Sequence, residues 1–202
     1  MKKLLIALAC AGAALSAQAG VVSSLSDGTV LPMTANGGFG IAPQTLADGV
    51  VWSSDGERSV FGYSDMFGFN LNGKWQGMAL ASPNDGYSMM QLAFDKPVMA
   101  VGALFNYGRN YGNATIAAYD ASHQLIESRV LQINLPDDSV NQGVFYGFRE
   151  STASISYFVM SGAYIGATDF TVLAVPEPST YAMLLGGLGL LGFAARRQRQ
   201  RQ

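Results

Sequence analysis

The chain has one cysteine, Cys10, and one histidine, His123, in 202 residues. Cys10 lies in an apolar run near the N-terminus, so everything after it can form no internal disulfide and must be held by burial and hydrogen bonding. With a single histidine and no further thiol, the usual multi-ligand zinc site is excluded. A Ser-His-Asp triad would have to use His123, in a turn-like Ser122-His123-Gln124 stretch, and no Gly-x-Ser-x-Gly elbow accompanies it. Basic residues are also few. Between residues 20 and 175 only Arg58, Lys74, Lys96, Arg109, Arg129 and Arg149 oppose thirteen acidic side chains, a balance of −7. Phosphate backbones need a basic stripe, and this body has none, so nucleic acid is excluded as a partner. No stretch of the body sustains a 3.6-residue apolar period long enough to predict a helix.

The charge that is missing from the body sits at the two ends. Lys2 and Lys3 precede an apolar run over 4–15, then Ala17-Gln18-Ala19 before Gly20. This is the pattern of a secretory signal peptide over residues 1–19, with Ala17 and Ala19 as the small residues read at cleavage. Cys10 falls inside the apolar run and not after it, which does not suit a lipid acceptor. At the other end, residues 179–195 carry no charge over 17 positions and are followed by Arg196, Arg197, Arg199 and Arg201. A helix of that length spans about 25 Å, slightly short of a hydrocarbon core of about 30 Å. The arginines can snorkel to the headgroups and extend it. The spacing therefore predicts a single transmembrane helix with a basic cytoplasmic stop. By the positive-inside rule residues 20–175 lie outside, as the signal peptide also requires.

Val175-Pro176-Glu177-Pro178-Ser179, the Gly- and Leu-rich run that follows and Arg196-Arg197 together resemble the PEP-CTERM sorting signal of Gram-negative bacteria. The resemblance covers about one seventh of the chain, residues 175–202. It implies that Pro176, Glu177 and Pro178 are read by a membrane processing enzyme, an exosortase, and are no active site of this protein's own. It further implies a transient intermediate anchored in the inner membrane, then release to the cell surface or matrix, often beside exopolysaccharide.

Residues 20–174 are enough for one domain with a sizeable core. Short runs rich in Val, Ile, Phe and Tyr alternate with Gly, Asn, Asp and Pro, which predicts an all-β domain. Strands are expected at 49–53, 60–63, 68–71, 74–80, 88–94, 98–105, 114–120, 125–133, 143–150, 154–160 and 167–173. Asn72-Gly73 reads as a two-residue type I′ hairpin turn, and residues 121–124 as a second hairpin turn. An antiparallel two-sheet β-sandwich buries this many half-apolar strands. Phe94-Asp95-Lys96-Pro97-Val98 and Ala117-Ala118-Tyr119-Asp120-Ala121 resemble the jelly-roll-like sandwiches, similar to carbohydrate-binding modules, that this tail commonly carries.

Several residues are candidates for binding or chemistry. Sugars stack their C–H faces on flat rings, and the 106–113 loop combines two tyrosines with amide and guanidinium donors. Trp75, Tyr107, Arg109 and Tyr111 are the expected glycan contacts. The resemblance to carbohydrate-binding sandwiches implies a structural calcium, with Asp169 on the last strand as its acid. Asp137-Asp138 and Asp55-Gly56-Glu57 are carboxylate pairs of the kind a glycosidase holds across a cleft, although loop carboxylates ordinarily form turns. The leading expectation is a non-enzymatic exported surface or matrix protein. The alternative is an exopolysaccharide-binding module, and a carboxylate-dependent polysaccharide hydrolase is more distant.

Overall fold

The computed structural model describes residues 20–34, 38–41, 43–47 and 49–174, and nearly all of its regular structure is strand. The signal peptide with Ala17 and Ala19, the Pro176-Glu177-Pro178 motif, the transmembrane helix predicted over 179–195 and the terminal arginines lie outside the described residues.

In chain order the strands are β1 (Gly20–Val22), β2 (Thr29–Val30), β3 (Gln44–Ala47), β4 (Val50–Ser54), β5 (Val60–Tyr63), β6 (Phe67–Gly68), β7 (Lys74–Trp75), β8 (Leu80–Ser82), β9 (Met89–Val98), β10 (Ala100–Asn106), β11 (Thr115–Tyr119), β12 (Leu125–Val130), β13 (Val144–Arg149), β14 (Ile155–Ser161) and β15 (Gly166–Leu173). One sheet runs β1-β13-β10-β15-β8-β5, with β2 also on β15, and a second runs β12-β11-β14-β9-β4-β3. β6 and β7 form a separate ribbon. All these pairings are antiparallel. From β8 onward the chain passes repeatedly between the two sheets, so most neighbours within a sheet are distant in sequence.

Alternation explains which faces meet. On β9, Met90, Leu92 and Phe94 are buried while Met89, Gln91 and Ala93 are less so, as the two-residue period of a strand requires. The buried faces of both sheets contribute to one hydrophobic cluster. Phe158 of β14 lies edge-on to Phe105 of β10 at 6.1 Å and to Phe148 of β13 at 6.0 Å, tying the sheets together. Trp52 of β4 meets Phe61 of β5 at 5.0 Å and does the same elsewhere in the core. The Trp52 indole N–H is directed at the Met90 sulfur, 3.5 Å away.

Two local expectations are corrected. The strand predicted over 74–80 is broken at Gly77, where φ is +72°, so β7 stays with the ribbon and β8 joins the large sheet. The Asn72-Gly73 turn is a five-residue loop over 69–73, with positive φ at Leu71 (64°) and Gly73 (71°). Asn72 is fully buried and faces inward, so it cannot act as a surface turn residue. The turn at 121–124 forms as expected between β11 and β12, with the Asp120 carboxylate accepting from the N–H groups of Ser122 and Gln124.

Candidate functional site

Two buried asparagines, Asn72 and Asn106, and the half-buried Asn141 organise one end of the molecule. Asn72 Nδ2 donates to the Tyr107 carbonyl (2.9 Å), and its Oδ1 accepts from the Leu135 N–H (3.1 Å). The Asn72 carbonyl accepts from Asn106 Nδ2 and Asn141 Nδ2, each at 3.0 Å. Asn141 Oδ1 in turn accepts from the Trp75 indole N–H (3.1 Å) and the Gly143 N–H (3.0 Å). The network ties the β6–β7 loop, the end of β10 and the segment before β13 into one rigid base, since each buried polar group finds its partner there.

The 3₁₀ turn at Arg109–Tyr111 projects from this base. The Arg109 N–H donates to the Asn70 carbonyl (2.9 Å), and Arg109 Nε donates to the Leu71 carbonyl (2.6 Å). The Gly108 N–H donates to the Ala163 carbonyl (2.8 Å), which ties this loop to the β14–β15 turn. That turn closes through the Ile165 N–H to Gly162 carbonyl bond, with Ala163 and Tyr164 at φ of 47° and 53°. Such a turn normally takes Asn-Gly at its centre, and each ordinary residue in the left-handed region costs about 1–2 kcal/mol. The Ala163 and Tyr164 N–H groups are anchored on the Gly86 and Asp85 carbonyls, both at 3.1 Å.

The strained turn places the Tyr164 ring 4.5 Å from the Tyr111 ring. Tyr111 is 48% exposed, and its hydroxyl accepts from Asn70 Nδ2 (2.8 Å). Tyr87, next to Gly86, is 98% exposed. The result is a ring pair with an amide and a guanidinium beside it and a further tyrosine on the adjoining loop. This arrangement can stack against a flat apolar face while hydrogen-bonding its edge.

Of the expected glycan contacts, Arg109 and Tyr111 lie at this exposed end. Trp75 and Tyr107 do not. Trp75 has no exposed surface, packs edge-on against Phe69 at 5.0 Å and spends its N–H on Asn141, so it has no ring face to offer a sugar. Tyr107 is buried with its hydroxyl donating to the Leu131 carbonyl (3.2 Å). Tyr164 and Asn70 were not singled out from the sequence. Ser161-Gly162 signals a turn, but no local pattern brings Tyr164 to Tyr111, and Asn70 reads as one of many loop asparagines.

The other candidates serve the fold. Asp137 Oδ1 accepts from the Leu71 N–H (2.8 Å), and Asp55 Oδ1 from the Met89 N–H (2.7 Å), so each acts as a loop tie. His123 is exposed, sits at φ of 56° and stacks on Tyr157 at 4.2 Å. Asp169 is exposed at a register shift between β15 and β10. Calcium takes six to eight oxygens, usually with several carboxylates. Asp169 brings one, and no group of three or more acidic, histidine or cysteine side chains occurs among the described residues.

Comparison with known proteins places a PEP-CTERM protein-sorting motif at residues 174–199. No curated protein matches the chain. Among solved structures it is similar to a Streptococcus pneumoniae fucose binding module at 10% identity and a TM-score of 0.33, covering 48% of this chain and 70% of that one.

Proposed function

We propose that this chain, which carries the PEP-CTERM sorting motif, is a non-enzymatic exported protein of the cell surface or extracellular matrix. Its body is a jelly-roll-like β-sandwich, delivered by a signal peptide over 1–19. An exosortase processes its tail from an intermediate held in the inner membrane. The motif at 174–199 is the observation that carries this reading. The strand orders β8-β15-β10-β13 and β9-β14-β11-β12 support the jelly-roll assignment, since that fold pairs its eight strands in this interleaved way. Asp55, Asp85, Asp120 and Asp137 hold backbone N–H groups, which supports a structural use of the loop carboxylates. Fractionation of the producing cell tests sorting. Protein at the surface or in the medium, shifted to the inner membrane when the exosortase is deleted, is the expected result. An unchanged distribution refutes it.

A second reading, that the body binds exopolysaccharide, is favoured by the exposed Tyr111–Tyr164 edge with Arg109 and Tyr87. Tyr87→Ala is its sharpest test, because a side chain 98% exposed contributes nothing to the core. Co-sedimentation with the host polysaccharide should weaken about five- to tenfold with an unchanged melting temperature, as truncating an aromatic anchor costs more than about 1 kcal/mol. Equal binding by variant and parent would remove Tyr87 from the site.

A further inference from the structure

Asp169 has a backbone geometry that calls for an explanation. Gly102 pairs with Thr171 and Leu104 with Thr168, so the single residue Ala103 faces two, Asp169 and Phe170. This is a β-bulge in a central strand, with its first residue at φ of +53°. Glycine normally takes that position, because a side chain there is strained. Bulges recur beside binding sites because they re-aim one side chain out of the ladder.

Here the re-aimed side chain lines a hollow of about 290 Å³. Leu31, Met33, Met78 and Leu104 give it an apolar wall, and Gln142 and Asp169 supply the polar groups. Leu104 alternates with the core residues Ala103 and Phe105, so it projects from the opposite face of its sheet. Thr168, also in the wall, spends its hydroxyl on the Ala79 carbonyl (2.6 Å), which leaves the carboxylate and the amide to meet a ligand. The volume lies at the lower end for small-molecule sites, suiting one ring and not a chain. Asp169 is the one charged side chain in the wall, so charge complementarity selects a cationic group.

We propose that this hollow binds a single amino-sugar residue, with its protonated amine on Asp169, a hydroxyl on Gln142 and its C–H face on the methionine and leucine wall. The cationic group follows from the hollow itself. The choice of a sugar amine over other amines rests on the surface-glycan reading above. The site is distinct from the Tyr111–Tyr164 edge and shares no residue with it.

Ligand-observed NMR titration of the full chain with glucosamine, N-acetylglucosamine, glucose and n-butylammonium tests the proposal. Glucosamine should bind saturably, and its N-acetyl form and glucose at least about tenfold more weakly, since each lacks the charged hydrogen bond. Asp169→Asn removes the charge but keeps a residue that tolerates the left-handed region, so the bulge survives. It should weaken glucosamine at least about tenfold, while Tyr87→Ala leaves that binding unchanged. Gln142→Ala, at an exposed position, should weaken it severalfold and gives a readout independent of the bulge. Glucosamine binding no better than glucose, or equal binding by Asp169→Asn and parent, overturns the site. Butylammonium matching glucosamine overturns the assignment to a sugar. Failure of Tyr87→Ala to affect polysaccharide co-sedimentation counts against the loop edge alone.

Discussion

Asn72→Ala probes the base on which the exposed end is built. The substitution deletes two side-chain hydrogen bonds, to the Tyr107 carbonyl and from the Leu135 N–H. The Asn72 carbonyl, with its bonds from Asn106 and Asn141, is untouched. Tyr107 is buried and Leu135 partly so, which leaves a carbonyl and an N–H without their partners in a place where water is scarce. Each such group costs about 1–3 kcal/mol, so the expected loss is about 3 kcal/mol. At about 2–4 °C per kcal/mol for a domain of this size, the melting temperature should fall by about 6–12 °C. Urea unfolding followed by tryptophan fluorescence suits the question, since Trp75 belongs to the network and Trp52 to the main core. A loss below about 1 kcal/mol would refute the network as the organising base. The surface reading predicts that polysaccharide binding weakens too, because the Tyr107 carbonyl leads directly into the Arg109–Tyr111 turn.

Two other substitutions separate strain, charge and function. Tyr164→Gly relieves about 1–2 kcal/mol of left-handed strain and forfeits about 0.5–1.5 kcal/mol of ring pairing with Tyr111, so chemical denaturation should show a change within about 1 kcal/mol. Polysaccharide binding should nonetheless be lost, and a destabilisation beyond about 2 kcal/mol would make the pair structural. Glu150 is buried with Oε1 unpartnered, and burial, then the charge of Glu127, push its pKa up. The folded state then holds this proton more tightly than the unfolded chain. The group's contribution to stability is complete below the ordinary glutamate range and is lost as pH rises through the raised value. Glu150→Gln should therefore gain stability relative to the parent at pH 8, with the difference shrinking toward pH 4. Thermal melts at the two pH values check this, and a variant less stable at pH 8 than at pH 4, relative to the parent, contradicts it.

The strand pattern was legible where alternation is local. The segments around 60–63, 114–120, 143–150, 154–160 and 167–173 became β5, β11, β13, β14 and β15 within a residue or two. β1, β2 and β3 have two to four residues each and show no period, since they are strands only because a long partner accepts them. β9 runs through Pro97 to Val98, where a gap between two strands was expected. Pro97 is exposed beside an irregularity in the pairing with β14, a place that tolerates a missing N–H. The site was half legible. Arg109 and Tyr111 follow from a Gly- and Asn-rich loop, but the same composition around Trp75 and Tyr107 conceals a buried polar network. Asn72 reaches Leu135 and Asn141 over 63 and 69 positions, and no local pattern carries such contacts. The sorting motif matched at 174–199 was legible from Pro176-Glu177-Pro178 and the residues that follow, because its signal is contiguous.

Intact-mass spectrometry of the exported protein, from cells with and without the exosortase, tests the central claim most directly. The predicted product begins at Gly20, ends close to Pro178 and lacks the residues beyond, whereas exosortase-deficient cells keep a membrane-bound form that retains Arg196 to Gln202. A surface product carrying the complete tail in both strains would contradict the account.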